Sequence, residues 1–184
     1  MLIRVEEIKE EGLVFDWEEV AEAFPALSEL SEAGECTFLA PLRVHLRALR
    51  VHEMVEVEGA VETTVSLTCS RCLKEVSLPL AAHFALTFTE ELPDIDSEDE
   101  DGEGVELSAE EMGLILFQGD EIDLRDAIAE QVVMALPLRP LCDEGCKGLC
   151  QVCGADLNNG DCGCQPTPFN AKFAALKGLN VEKK

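Results

Sequence analysis

Nine cysteines occur in a chain of 184 residues, and eight of them form close pairs: Cys69/Cys72, Cys142/Cys146, Cys150/Cys153 and Cys162/Cys164. A tetrahedral site for a structural metal takes four thiolates, commonly as two close pairs brought together from separate turns. Eight donors therefore predict two closed sites, with zinc the expected ion. Iron–sulfur ligation follows the same four-cysteine arithmetic and stays open at this point. The strongest half-site is Cys150-Gln151-Val152-Cys153-Gly154, where the glycine relieves backbone crowding so that amide groups can turn toward sulfur. Asn159-Gly160 supplies a turn that returns the chain toward Cys162 and Cys164. The one-residue gap of that last pair is less usual. Because Cys150, Cys153, Cys162 and Cys164 fall within one 15-residue span, they are expected to share a site. Cys69, Cys72, Cys142 and Cys146 are left for the other.

Cys69-Ser70-Arg71-Cys72 invites a redox reading as well. A thioredoxin-like dithiol sits between a strand and a helix N-terminus, where the dipole lowers the thiol pKa. Here strand periodicity flanks both sides, so that mechanism is missing and structural metal is preferred. The ninth cysteine, Cys36, lies beside Phe38 and Leu39 and reads as a small buried hydrophobe. Little else suggests catalysis. His45, His52 and His83 fall in strand-like segments with no motif around them, and neither a glycine-rich phosphate loop nor a nucleophile elbow is present. A closed four-thiolate site also leaves no open coordination position. No enzymatic activity is expected.

The elements that must position these residues are legible in outline. Residues 1–35 read as an N-terminal strand (Leu2 to Ile8) and a helical region. There Asp16 caps a helix bearing Trp17, Val20 and Phe24, and Pro25 begins a fresh turn that Gly34 ends. From 36 to 89 the period is two: Val55, Val57, Val61, Val65, Leu67 and Cys69 alternate with polar residues, and the alternation resumes through Cys72, Val76, Leu78, Leu80, Phe84, Leu86 and Phe88. This predicts long antiparallel strands meeting at a two-residue link, with Cys69 and Cys72 at the hairpin tip. Residues 112–141 read as a short strand, Leu114 to Phe117, and a helix capped by Asp123. That helix carries Leu124, Ile128, Val132 and Leu136 on one stripe, with Pro137 as its stop. Residues 142–164 form the cysteine-rich element. Residues 165–184 read as a short helix opened by Thr167-Pro168, with a basic tail. The expected fold is α+β in a single domain: an antiparallel sheet with long hairpins, helices packed on one face, and a zinc ribbon-like element near the C-terminus.

Charge narrows the function. Thirty-eight Asp and Glu against 14 Lys and Arg leave a net charge of -24. Sixteen acidic residues, and no Lys or Arg, fall between Glu75 and Leu124. Within that window residues 90–111 read as a solvated, disordered loop, since DSEDEDGEG lacks the ligand register of a calcium loop. Such a charge repels nucleic-acid phosphates and attracts polycations. The longest uncharged apolar stretch, Val132 to Leu138, falls far short of a membrane span. The opening MLIRVEEIKEE has no signal-peptide pattern, so a cytoplasmic protein is expected.

The ordering of these motifs resembles the YceD family of large ribosomal RNA subunit accumulation proteins. The match lies in the CSRC hairpin, the helix IDLRDAIAEQVVMALPLRPLC that follows an acidic variable stretch, the cluster CDEGCKGLCQVCGADLN and the terminal PFNAKFAALKGL, while the acidic insert itself and the first 35 residues lie outside it. It covers about residues 50–180. The resemblance implies a bacterial cytoplasmic protein needed for normal levels of large-subunit ribosomal RNA, and it offers no catalytic residue to carry over. The expectation is a non-enzymatic assembly factor that binds a ribosomal protein or a large-subunit precursor particle. The alternative is a zinc-dependent module contacting ribosomal RNA directly through Arg43, Arg47, Arg50 and the tail lysines.

Overall fold

The computed structural model describes residues 1–9, 11–91 and 113–165. The chain divides into two compact units, one of Met1–Leu67 and Ser77–Leu138, the other of Thr68–Val76 and Arg139–Lys184.

The first unit contains, in chain order, β1 (Leu2–Arg4), β2 (Leu13–Glu19), α1 (Pro25–Glu32), β3 (Thr37–Phe38), β4 (Leu42–Val51), most of β5 (Met54–Thr68) and of β6 (Glu75–Thr89), β7 (Leu114–Leu116), β8 (Glu121–Asp123) and α2 (Arg125–Ala135). One sheet runs β2-β4-β5-β6-β7, with β3 added on β5, and β1 pairs with β8 in a small second sheet. Pairs β2–β4, β3–β5 and β4–β5 are antiparallel, whereas β6–β7 is parallel.

Period-two patterning explains the long strands. Along β4, Leu42, Val44, Leu46 and Ala48 are buried while Arg43, His45 and Arg47 are exposed. Val55, Val57, Val61 and Val65 of β5 join the same core. Each fully buried Val or Leu contributes roughly 1.5–3 kcal/mol against leaving it in water, which is why the register is firmly held. The helices add to this core with Leu27 of α1 and Ile128 and Val132 of α2, and the two helices contact one another. Pro25 occupies the first turn of α1, where its missing N–H is no loss. Asp123 Oδ1 accepts the Arg125 backbone N–H at 3.1 Å, satisfying a donor that the start of α2 would otherwise leave free.

The outward face of β2, β4 and β5 carries charge in columns. Arg43 meets Glu62 at 3.6 Å, His45 Nδ1 meets Asp16 Oδ1 at 2.6 Å, and Arg47 Nη2 donates to the Glu11 carbonyl at 2.9 Å. Phe15 and Trp17 stack at 5.0 Å on the other side of β2 and pack against the core.

Several sequence expectations need correction. Asp16 caps no helix: Leu13–Glu19 is a strand, with Phe15 and Trp17 half-buried and Asp16 and Glu18 exposed. The three- and four-residue spacing of Trp17, Val20 and Phe24 imitated a helix, but the shorter Phe15/Trp17 alternation prevails because β4 offers a ladder. The strand expected from Leu2 to Ile8 stops at Arg4 and continues as a 3-10 turn, Val5–Glu7. The β6–β7 pair makes the sheet mixed rather than purely antiparallel. His52 lies between β4 and β5 at φ 58°, in a turn and not in a strand. The link between β5 and β6 is the longer run 69–74, so Cys69 and Cys72 lie inside the turn. The acidic segment from 92 onward and the C-terminal helix after 165 lie outside the described residues.

Candidate metal centres

The second unit is built on hydrogen bonds between its two chain segments. Ser70 N–H donates to the Pro140 carbonyl at 2.8 Å, and Leu149 N–H donates to the Arg71 carbonyl at 3.0 Å. Arg71 Nη1 donates to the Glu144 and Cys146 carbonyls at 3.0 and 2.8 Å. Gly148, at φ +74°, is needed here, because a Cβ would stand 2.8 Å from the Arg71 carbonyl oxygen. These bonds bring the turn 69–74 against 140–149 and place four sulfurs together. Cys69 and Cys146 Sγ are 3.9 Å apart, Cys72 and Cys142 Sγ 3.6 Å, and all four donor atoms lie within 4.8 Å of one another. Cys69, Cys72 and Cys146 are buried, with Leu141 and Leu149 packed against them.

A second quartet lies downstream. Cys150, Cys153, Cys162 and Cys164 also place their sulfurs within 4.8 Å of one another, but three of the four residues are exposed and Cys150 is intermediate. An open hollow lined by Leu149, Val152, Leu157, Cys150, Cys162 and Cys164 lies beside them.

Both quartets use one backbone device. In the first, Leu73 N–H bonds to the Cys69 carbonyl at 3.0 Å and Cys69 N–H to the Lys74 carbonyl at 2.8 Å. In the second, Gly154 N–H bonds to the Cys150 carbonyl and Cys150 N–H to the Ala155 carbonyl, both at 2.8 Å. The residue after the second cysteine is left-handed in each turn: Leu73 at φ +59° and Gly154 at φ +73°. Such a turn aims backbone N–H groups at the first sulfur. The N–H groups of Cys72, then Arg71 and Cys142, lower the Cys69 thiol pKa to about 6. Those of Cys153 and Val152 do the same for Cys150, also to about 6, and the Val152 N lies 3.4 Å from its sulfur. The opposite holds for thiols hydrogen-bonded to neighbouring cysteines. Cys142, beside Cys146 and Cys72, is pushed up to about 12, as is Cys164 beside Cys153 and Cys162. Filling either quartet with a cation requires these protons to leave.

The donor set and spacing fit a single tetrahedral ion. Four sulfurs, each about 2.3 Å from one zinc, would stand about 3.8 Å from each other, close to the 3.6 and 3.9 Å seen in the first quartet. A multi-iron cluster divides its thiolates among separate irons and needs a wider cradle. Each quartet could therefore hold one metal ion, and four thiolates around one ion leave no position for a substrate.

The structure brings together the two quartets that sequence spacing grouped. Cys36 stays apart, buried at 2 % exposure, and burial raises its thiol pKa. His45 and His83 are exposed strand residues. Sequence reasoning missed Arg71, which clamps the 142–146 loop, and Asn158, whose amide reaches the first quartet. The Asp156-Leu157-Asn158 order carries a turn signal, since Asp156 Oδ1 accepts the Asn158 N–H at 3.0 Å. Nothing local points to the partner Asn158 meets.

An α+β protein with a cysteine quartet at a hairpin turn and a second quartet just downstream is a recognisable class. The chain belongs to the YceD family, whose model, described as Large ribosomal RNA subunit accumulation protein YceD, matches residues 57–180 and so includes both quartets. It is 31% identical over 157 residues to the maize (Zea mays) protein named Large ribosomal RNA subunit accumulation protein YCED homolog 1, chloroplastic, covering 76% of this chain and 53% of that one. The Arabidopsis thaliana protein of the same name is 27% identical over 158 residues, 77% of this chain and 49% of the relative. An uncharacterised protein of Mycobacterium leprae is 30% identical over 122 residues, 64% of this chain and 50% of the relative. The chain spans about half the length of the curated relatives it matches. No solved structure matches it, and no helix among the described residues is long and apolar enough to cross a membrane.

Proposed function

We propose that this protein is a non-enzymatic, cytoplasmic factor for large ribosomal subunit biogenesis, supporting accumulation of large-subunit ribosomal RNA by binding a ribosomal protein or a precursor particle. Zinc in the two quartets, ligated by Cys69, Cys72, Cys142 and Cys146 and by Cys150, Cys153, Cys162 and Cys164, organises its second unit. The family match over residues 57–180 carries this reading. A polycationic partner suits a chain of net charge -24. Direct RNA binding through the arginines of β4 has less support. Arg43 and Arg47 are engaged with Glu62 and the Glu11 carbonyl, and Arg50 shares a hollow with Glu53, Glu90 and Glu91. Acidic groups accompany two of these cations, Glu62 beside Arg43 and Glu53, Glu90 and Glu91 around Arg50, and would repel an approaching phosphate.

Depletion of the protein in its own host tests the biological claim. The ratio of large- to small-subunit ribosomal RNA should fall, and an unchanged ratio would refute the function. A tagged pull-down across a salt series tests the partner. Ribosomal proteins or precursor particles should be recovered and lost as salt rises. If a chain lacking residues 93–104 keeps the same salt midpoint, the acidic segment is a spacer and the electrostatic mechanism is wrong.

A further inference from the structure

The loop that joins the halves of the second quartet, residues 154–161, makes one contact with a sulfur of the first and one with the turn that carries Cys69 and Cys72. Asn158 Nδ2 donates to Cys146 Sγ at 3.5 Å. Asp156 Oδ2 lies 2.5 Å from Lys74 Nζ, two residues beyond Cys72 in the other knuckle. The orientation of the Asn158 amide is fixed on chemical grounds. Its Oδ1 accepts the Lys147 backbone N–H at 2.8 Å, and that N–H can only donate, so the Nδ2 edge must face the sulfur. A second Nδ2 bond, to Asp156 Oδ1 at 2.7 Å, holds the same rotamer. The loop is also paired with the strand-like segment before it. Leu157 N–H donates to the Gly148 carbonyl at 2.9 Å, and Leu149 and Asp156 form an isolated antiparallel bridge.

We propose that Asn158 is a positioning residue for Cys146, and that through it the two quartets are coupled, so that closing the second strengthens metal binding at the first. This rests on the reading that both quartets hold metal. The argument is one of preorganisation. An N–H aimed at a thiolate favours the charged sulfur and fixes its direction, and outer-shell partners of this kind typically change metal affinity about 10- to 100-fold. Asn158 can act so only while residues 154–161 are held in place. Their ends are Cys153 and Cys162, both in the second quartet. Gathering those sulfurs closes the loop, so the entropy of ordering Asn158 is already met when the first quartet fills. By reciprocity, a filled first quartet favours closure of the second.

The full-length protein loaded with cobalt(II) provides the test, because thiolate-to-cobalt charge transfer and tetrahedral d–d bands report ligation directly. Chelator competition gives the affinities. In the chain with both quartets, Asn158→Ala should preserve the tetrahedral spectrum and lower the combined affinity about tenfold. In a chain whose second quartet is removed by Cys153→Ser and Cys164→Ser, cobalt binds only the first, and there Asn158→Ala should change affinity by less than about threefold, because the two ends of the loop are no longer held together. An equal effect of Asn158→Ala in the two backgrounds would make the residue an uncoupled sulfur partner and overturn the proposal. No effect in the chain with both quartets would overturn it as well. If no thiolate–cobalt band forms in any of these chains, the metal reading itself fails, an outcome distinct from loss of coupling.

Discussion

The two cysteine quartets share a backbone turn, a donor set and a sulfur spacing, yet they differ in surroundings. The first is buried under Leu141 and Leu149 and joined to Arg71 and Pro140 by hydrogen bonds between distant segments. The second is exposed and joins residues close in sequence. The same local chemistry therefore serves two purposes. In the first case it closes a loop of about 70 residues, where loop-closure entropy is larger. In the second it shapes a local excursion whose inner side, Asp156 and Asn158, faces back toward the first quartet.

Cys72→Ser should have the largest effect on this contrast, lowering stability by about 3 kcal/mol. Equilibrium unfolding would measure it, and hydrogen exchange should show protection lost across 69–74 and 140–149. Cys153→Ser should cost less, about 1–2 kcal/mol, with exchange rising mainly in residues 147–165 and secondarily around Cys146. Equal losses from the two changes would erase the distinction between a long-range and a local closure.

The turn residues supply a finer comparison. Leu73 holds a left-handed backbone that disfavours a branched side chain, and it is 64% exposed, so little packing holds it there. Leu73→Gly should therefore stabilise slightly, by about 0.5 kcal/mol, whereas Gly154→Ala should destabilise by about 1 kcal/mol. If Leu73→Gly destabilises instead, the exposed leucine has a role that the turn geometry does not supply.

The smallest effect belongs to a control outside both quartets. The Arg125 guanidinium beside Asp123 lowers its carboxyl pKa to about 2. Because the folded pKa lies below the ordinary value of 3.8, the carboxylate adds stability that is fully present above pH 4 and lost as pH falls toward 2. Asp123→Asn should cost about 0.5 kcal/mol at pH 7. Denaturant midpoints of variant and wild type should converge between pH 4 and pH 2.

Much of this was legible in the sequence because it is periodic or paired. The alternation from Val55 to Leu67, the Leu124-Ile128-Val132 stripe and the four cysteine pairs each repeat at the spacing of the structure that holds them. What stayed hidden depends on partners far away in the chain. Leu13–Glu19 is a strand because β4 is there to pair with it, and the parallel placement of β7 on β6 leaves no local mark in Leu114–Leu116. Asn158 looks like an ordinary turn residue, and its contact with Cys146 arises only once 142–150 and 154–161 are brought side by side. Spacing alone treated the second quartet as isolated for that reason.

Trp17 of β2 is the chain's one tryptophan, and the chain has no tyrosine. Excited at the red edge of the aromatic band, the protein therefore has a single lamp, stacked on Phe15 within the first unit, while the second unit emits nothing of its own. A melt followed by fluorescence records the sheet and is blind to the quartets. Thiolate-to-metal absorbance does the reverse. Recorded together in one cuvette, the two colours separate the unfolding of the two units without a label, and a gap between their midpoints measures directly how independently they hold.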